Sequence, residues 1–229
     1  MVQNLQNKNK NLQTILCIET ASTNCSVSIG REGKLLALKE DYSKDFSHAE
    51  RLHIFINEIL EENNLQLQDL DAIAISEGPG SYTGLRIGVS AAKGLCYSLS
   101  LPLIAVPTLT SLASQVKEKG VVIPMMDARR MEVYTAVFNE DGGQMEPTSA
   151  KILDENSYAT YLEKGKVNFI GSGVEKFEKI CSHPNANFIR EKLPSAGEMV
   201  EIATGKYKKD DLVDVAYFVP YYLKDFIAG

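Results

Sequence analysis

Few side chains in this sequence have the type and spacing that chemistry needs. It has three histidines, and the two that lie close, His48 and His53, are five residues apart. On a helix that spacing turns them about 140° from each other, so they do not form the i, i+4 pair that holds a metal. Capping or solvated roles suit them better. His183 precedes Pro184 in a loop, apart from any carboxylate cluster. Cys17, Cys25, Cys96 and Cys181 occupy apolar or turn contexts with no Cys-x-x-Cys pair, the pattern of buried free thiols rather than of disulfides or zinc ligands. There is no G-x-S-x-G nucleophile elbow and no G-x-x-x-x-G-K-[ST] phosphate loop. Two dense clusters remain. In Asp127-Ala128-Arg129-Arg130-Met131-Glu132-Val133-Tyr134, two strands flank a short turn. Arg129 and Arg130 could grip a phosphate or a carboxylate. Equally, they could sit on a solvated hairpin and pair with Asp127 and Glu132 at little energetic gain. The other cluster, Glu77 to Gly88 (EGPGSYTGLRIG), has the order of a tight loop and a helix start, which can present backbone amides to an anion.

The elements around that second cluster give it its meaning. Ala72-Ile73-Ala74-Ile75 is a continuous apolar run and reads as a short buried strand. Gly78, Pro79 and Gly80 break it, and Ser81, Tyr82 and Thr83 lead into a helix that Ser81 or Thr83 can cap. From Thr83 to Leu99 the 3.6-residue period yields three stripes instead of two. Leu85, Val89, Ala92, Cys96 and Leu99 suit packing on a sheet, and Arg86, Ser90, Lys93 and Tyr97 suit solvent. The third stripe, Gly84, Ile87, Gly88, Ala91, Gly94 and Leu95, is too small and too apolar for a solvated face. Each interior glycine costs about 0.5–1 kcal/mol relative to alanine, so this stripe needs a packing reason. A second candidate helix, Ser47 to Glu62, has a broad apolar face of Leu52, Phe55, Ile56, Ile59 and Leu60. Either these helices pack on each other within the chain, or they pair with two helices of another protein as a four-helix bundle.

The 229 residues, 44% of them hydrophobic, are enough for one large or two small domains with a real core. The formal net charge of -6 disfavours a chain that grips nucleic acid by itself through phosphates. No apolar run approaches the ~20 residues of a membrane span, and the start is polar, so cytoplasmic residence without membrane contact is expected. Residues 1–13 read as a flexible tail. Strands at Ile15–Glu19, Ser26–Ile29 and Lys34–Glu40 precede the Ser47 helix, the Ala72 strand and the Thr83 helix. From Pro107 the plan repeats loosely. Helical patterns cover Thr108–Lys119, Asp154–Glu163, Val174–Ser182 and Ser195–Tyr207, and strands cover Val121–Asp127, Met131–Phe138 and Val167–Ile170. This organisation predicts two α/β domains of one type, 14–106 and 107–229.

Together, Ile18-Glu19-Thr20-Ala21-Ser22, the Gly78–Gly88 loop and helix, the Ala91–Thr108 stretch, the Asp127–Tyr134 hairpin and Pro220-Tyr221-Tyr222-Leu223-Lys224 resemble the bacterial TsaB (YeaZ) family. The resemblance spans nearly the whole chain. It implies the ASKHA (actin-like ATPase) fold, an α/β architecture of two RNase H-like domains. It also implies an accessory subunit that is a non-catalytic paralogue of TsaD, the threonylcarbamoyltransferase acting on the adenosine beside the anticodon of tRNA. The implied partners are a TsaD-like catalytic subunit, a TsaE-like ATPase and, for the chain alone, a second copy in a homodimer; tRNA is met only through the complex. The helices carrying Leu52, Phe55, Ile59, Gly84, Ile87, Gly88, Ala91, Gly94 and Leu95 would supply the interface. Where TsaD-like proteins place an HxxxH metal pair, this sequence has Thr108 and Leu112, so no metal and no other cofactor is expected. Glu19, Ser22, Thr23, Gly171 and Gly173 mark a vestigial nucleotide site, and Arg129 and Arg130 replace a glycine-rich phosphate loop. An ASKHA-type ATPase or small-molecule kinase built on those residues is the alternative.

Overall fold

The structure is a computed structural model that describes residues 12–42 and 48–224. The expected tail as far as residue 11, and Ser47 at the expected helix start, lie outside the described residues. Two five-stranded sheets share one plan. The first runs β3-β2-β1-β4-β5, from β1 (Thr14–Glu19), β2 (Cys25–Arg31), β3 (Lys34–Asp41), β4 (Ala72–Gly78) and β5 (Leu103–Pro107). Its first three strands form an antiparallel meander, β4 lies parallel to β1, and β5 parallel to β4. The second sheet is built from β6 (Val121–Asp127), β7 (Glu132–Phe138), β8 (Gln144–Ile152), β9 (Val167–Ile170) and β10 (Ala186–Ile189). Its order, β8-β7-β6-β9-β10, repeats the first strand for strand, with the same directions.

Three strands, β5, β8 and β10, are not among those expected from the sequence, although β5 is a buried apolar run and only β8 and β10 are of mixed polarity. All three are sheet edges. β8 is mostly exposed and contains Pro147, which an edge strand tolerates because its missing donor leaves no ladder bond broken. The expected helices at 108–119, 154–163 and 174–182 shrink to α3 (Thr108–Ala113), α4 (Ala159–Leu162) and α5 (Val174–Glu178).

β1 is buried on both faces, so its alternate residues feed two cores. Leu16 and Ile18 meet α1 (His48–Glu62) and α2 (Tyr82–Leu99), whereas Ile15 and Cys17 meet α6 (Ala196–Lys208) through Met199, Val200 and Ala203. The helix α6, with Val213, Val215 and Phe218 after it, is placed by the sequence in the second domain and packs instead on the first. In the second domain Tyr158, Phe169 and Phe177 form a ring cluster with centroids 4.9–5.7 Å apart. On that sheet's inner face Leu109, Leu112, Met126 and Phe138 share a core with Ala21 and Leu85 of the first domain. Among the described residues no helix is long and apolar enough to cross a membrane.

Candidate docking groove and interdomain cleft

The turn at Gly78 to Gly80 ends β4, with a cis peptide between Gly78 and Pro79. Of the two candidate caps, Ser81 takes the role, its Oγ accepting the N–H of Gly84 at 3.2 Å. Leu85, Val89, Ala92 and Cys96 of α2 are buried toward the sheet as their period requires. The small stripe, however, divides in two. A Cβ on Gly84 would overlap the carbonyl oxygen of Thr20 and come within 3.1 Å of the His48 ring. One on Gly88 would overlap the Thr20 hydroxyl and approach Ile75 Cδ1 at 3.0 Å. Gly84 and Gly88 therefore let α2 sit close on the β1 turn of its own chain and do not face outward, which corrects their expected place in an interface. Leu52, Phe55 and Ile59 need the same correction: the sheet covers the apolar face of α1, and all three are core residues.

What stays open is a shallow groove of about 610 Å³ between α1 and α2, lined by Ala49, His53, Arg86, Ile87, Ser90, Ala91, Gly94 and Leu95. Nothing lies within 4 Å of a Cβ built on Gly94. Ala49 and His53, one turn apart beside the apolar face of α1, were not singled out for an interface by the sequence, because hydrophobicity marks the buried stripe and not its flank.

A second depression, about 780 Å³, separates the two domains. Ser22 and Thr23 of the β1–β2 turn, the loop from Pro79 to Thr83, Asp127, Arg129, Ser172 and residues 221–224 line it. Glu19 lies behind this lining, fully buried, its Oε1 accepting the N–H of Ala21 at 2.6 Å and the hydroxyl of Ser76 at 2.8 Å. Desolvation pushes its pKa up to about 7 against the opposing pull of those bonds. Gly171 and Gly173 are also set back, since a Cβ on either would collide with β6 or β7. Only Ser172 between them faces the cleft. The expected vestigial site thus reduces to Ser22 and Thr23, with Ser172 opposite.

Arg129 reaches the cleft and Arg130 does not line it. Both adopt positive φ, 69° and 49°, a conformation that glycine more often supplies. Among the described residues neither guanidinium has an ionic partner. Asp127 pairs instead with Lys176 at 2.7 Å, and Glu132 pairs with Lys224. The N–H of Asp127 donates to Ser172 Oγ at 3.0 Å, and Lys176 donates also to the Glu132 carbonyl at 3.1 Å. Where a phosphate loop would offer free amides, this turn is bound to its own domain.

Thr108, one position the resemblance assigns to a paired imidazole, accepts the N–H of Gly78 at 3.0 Å, and Leu112, the other, is a core residue. Among the described residues no three His, Cys, Asp or Glu side chains converge to hold a metal. All four cysteines are buried and free, and burial pushes Cys17 and Cys96 up to about 12, which keeps them as thiols.

Two copies of one β-meander-and-parallel-strand unit, facing each other across a cleft, define the paired RNase H-like domains of the ASKHA fold. The family model described as "TsaD: tRNA N6-adenosine threonylcarbamoyltransferase" matches residues 44–228. The chain is 30% identical over 224 residues to the Escherichia coli tRNA threonylcarbamoyladenosine biosynthesis protein TsaB, covering 93% of this chain and 96% of that one. It is 37% identical over 152 residues to the Bacillus subtilis protein of the same name, covering 66% of this chain and 65% of that one. The solved structure of YeaZ from Pseudomonas aeruginosa superposes with a TM-score of 0.79 at 28% identity, over 92% of this chain and 100% of that one. The chain belongs to the TsaB (YeaZ) family, within the wider group that the TsaD model describes.

Proposed function

We propose that this protein is an accessory subunit of tRNA threonylcarbamoyladenosine biosynthesis, without chemistry of its own, that docks on a TsaD-like threonylcarbamoyltransferase through the α1–α2 groove and activates it. The relatives' names support the pathway. The observation that carries the docking is the groove: Ile87, Ala91, Gly94 and Leu95 leave an apolar, small-residue seam with no covering element among the described residues. Such a seam suits the close approach of another helix pair, as in a four-helix bundle. In the absence of the partner, a second copy closes the same seam. A TsaE-like ATPase completes the assembly, and tRNA is held mainly by the partners, in keeping with the net charge of -6. The internally bonded Asp127–Glu132 turn supports the non-catalytic part of the reading, because it offers no glycine cradle for a phosphate.

The test is tRNA modification in vitro with TsaD-like and TsaE-like proteins, the threonylcarbamoyl adenylate and ATP, with and without this chain. Modification is expected to require it, and Ala91→Arg is expected to weaken binding to the TsaD-like subunit by at least about tenfold, or about 1.4 kcal/mol. Modification at an equal rate without the chain, or ATP turnover by the chain alone, would replace this reading with the kinase-like one.

A further inference from the structure

Both helices that border the groove rest on one three-residue turn, Thr20-Ala21-Ser22. From α2, the Gly84 carbonyl accepts the Thr20 hydroxyl at 2.8 Å, and the N–H of Ser81 donates to the Ala21 carbonyl at 2.7 Å. Gly80, Gly84 and Gly88 are the points at which the loop and helix press against Ala21 and Thr20, each too close for a Cβ. From α1, His48 at the first position donates through Nε2 to the Ser22 carbonyl at 2.7 Å. The His48 ring lies over the same turn, where a Cβ on Gly84 would come within 3.1 Å of it. Three consecutive residues thus fix where each helix begins, and hence the spacing of the groove.

One side chain defines the shape of that turn from beneath. Glu19 ends β1, is fully buried, and ties the Ala21 N–H to the Ser76 hydroxyl on the neighbouring strand β4. Its Oε2 has no hydrogen-bond partner among the described residues. A buried carboxyl with one oxygen unsatisfied is unfavourable for stability taken alone, so its presence calls for a structural return elsewhere. It does not line the interdomain cleft, so a ligand there does not explain it.

We infer that Glu19 is a positioning residue for the docking groove, setting the distance between α1 and α2 through the Thr20–Ser22 turn. The inference rests on the groove being the docking site. The geometry itself is independent of any partner, and the experiment separates the two.

Hydrogen exchange is measured on the full chain and on Glu19→Ala and Glu19→Gln, alongside affinity for a TsaD-like subunit. The amide oxygen of Gln can still accept from Ala21 and Ser76; Ala cannot. In Glu19→Ala, amides of residues 85–92 and 51–56 are expected to exchange about tenfold faster while those of α6 and the second sheet keep their parent rates. Partner affinity is expected to fall about tenfold in the same variant, and Glu19→Gln is expected to restore both readings to near those of the parent. Unchanged exchange in both helices, or acceleration spread evenly through α6 and the second sheet, would overturn the positioning role. So would localised acceleration with partner affinity intact. Failure of the parent chain to bind the partner would instead remove the docking reading, with the exchange pattern still deciding whether Glu19 sets the helix spacing.

Discussion

Burial lets Glu19 keep a proton that an exposed carboxyl would already have lost. Its pKa is raised from 4.5 to about 7, mainly by desolvation. Between those two pH values the folded chain binds more proton than the unfolded one, so stability falls as pH rises. The contribution is present in full below about pH 4.5 and is lost as pH passes through about 7. A shift of that size corresponds to roughly 3 kcal/mol, as an order of magnitude for a buried group. Urea unfolding of the parent and of Glu19→Gln across pH 4.5–8.5 checks it. The difference between the two curves is expected to drop by that order across the window and to be flat outside it. Parallel curves would mean that Glu19 titrates as an ordinary carboxyl.

The three glycines of α2 look alike in sequence and differ in what surrounds them. Gly88 meets the Thr20 hydroxyl and Ile75, whereas Gly94 has open space. Helix propensity alone would make either one better as alanine by about 0.5–1 kcal/mol. At Gly94 nothing opposes that gain, so Gly94→Ala is expected to stabilise the isolated chain by about that amount, raising Tm by about 1–4 °C. At Gly88 the added methyl must displace Thr20 or lift the helix, an overpacking cost of about 1–3 kcal/mol that outweighs propensity. Thermal and urea melts of the two variants should therefore move in opposite directions. The same contrast explains what was legible beforehand. Hydrophobic period located α1, α2, α6 and the central strands, and composition singled out the α2 stripe as unusual. Period cannot say which glycines face a partner and which face the chain's own turn, because that depends on Thr20 and His48, 64 and 36 residues away from Gly84 in sequence. The edge strands β8 and β10 escaped for a related reason: half-exposed strands of mixed polarity carry little alternation to read.

At the level of the whole molecule the chain leaves the first domain after β5, builds the second, and returns. α6 covers the sheet face made by Ile15, Cys17, Ala72, Ala74, Ile104 and Val106, and Ser28 Oγ donates to the Ala196 carbonyl at 2.7 Å. Beyond it Val213 bridges to Leu103, and Lys93 of α2 donates to the carbonyls of Ala216 and Phe218. The N–H of Tyr221 donates to the Glu77 carbonyl at 2.7 Å, Tyr222 meets the Tyr82 ring at 5.1 Å, and Lys224 crosses to Glu132 of the second domain. The first domain is therefore closed by residues almost a hundred positions after its last strand. Without them one face of a five-stranded sheet loses its cover, and burial on that scale decides whether a domain of this size folds. A fragment of residues 1–107 is expected to show no cooperative thermal transition, and a separate peptide of residues 195–224, added in excess, is expected to restore one. The peptide would bind the folded sheet and not the unfolded chain, so the midpoint should rise with its concentration. A cooperative melt for the fragment alone would mean that β1 to β5, α1 and α2 hold together without α6, and that the returning segment serves only to fasten the two domains.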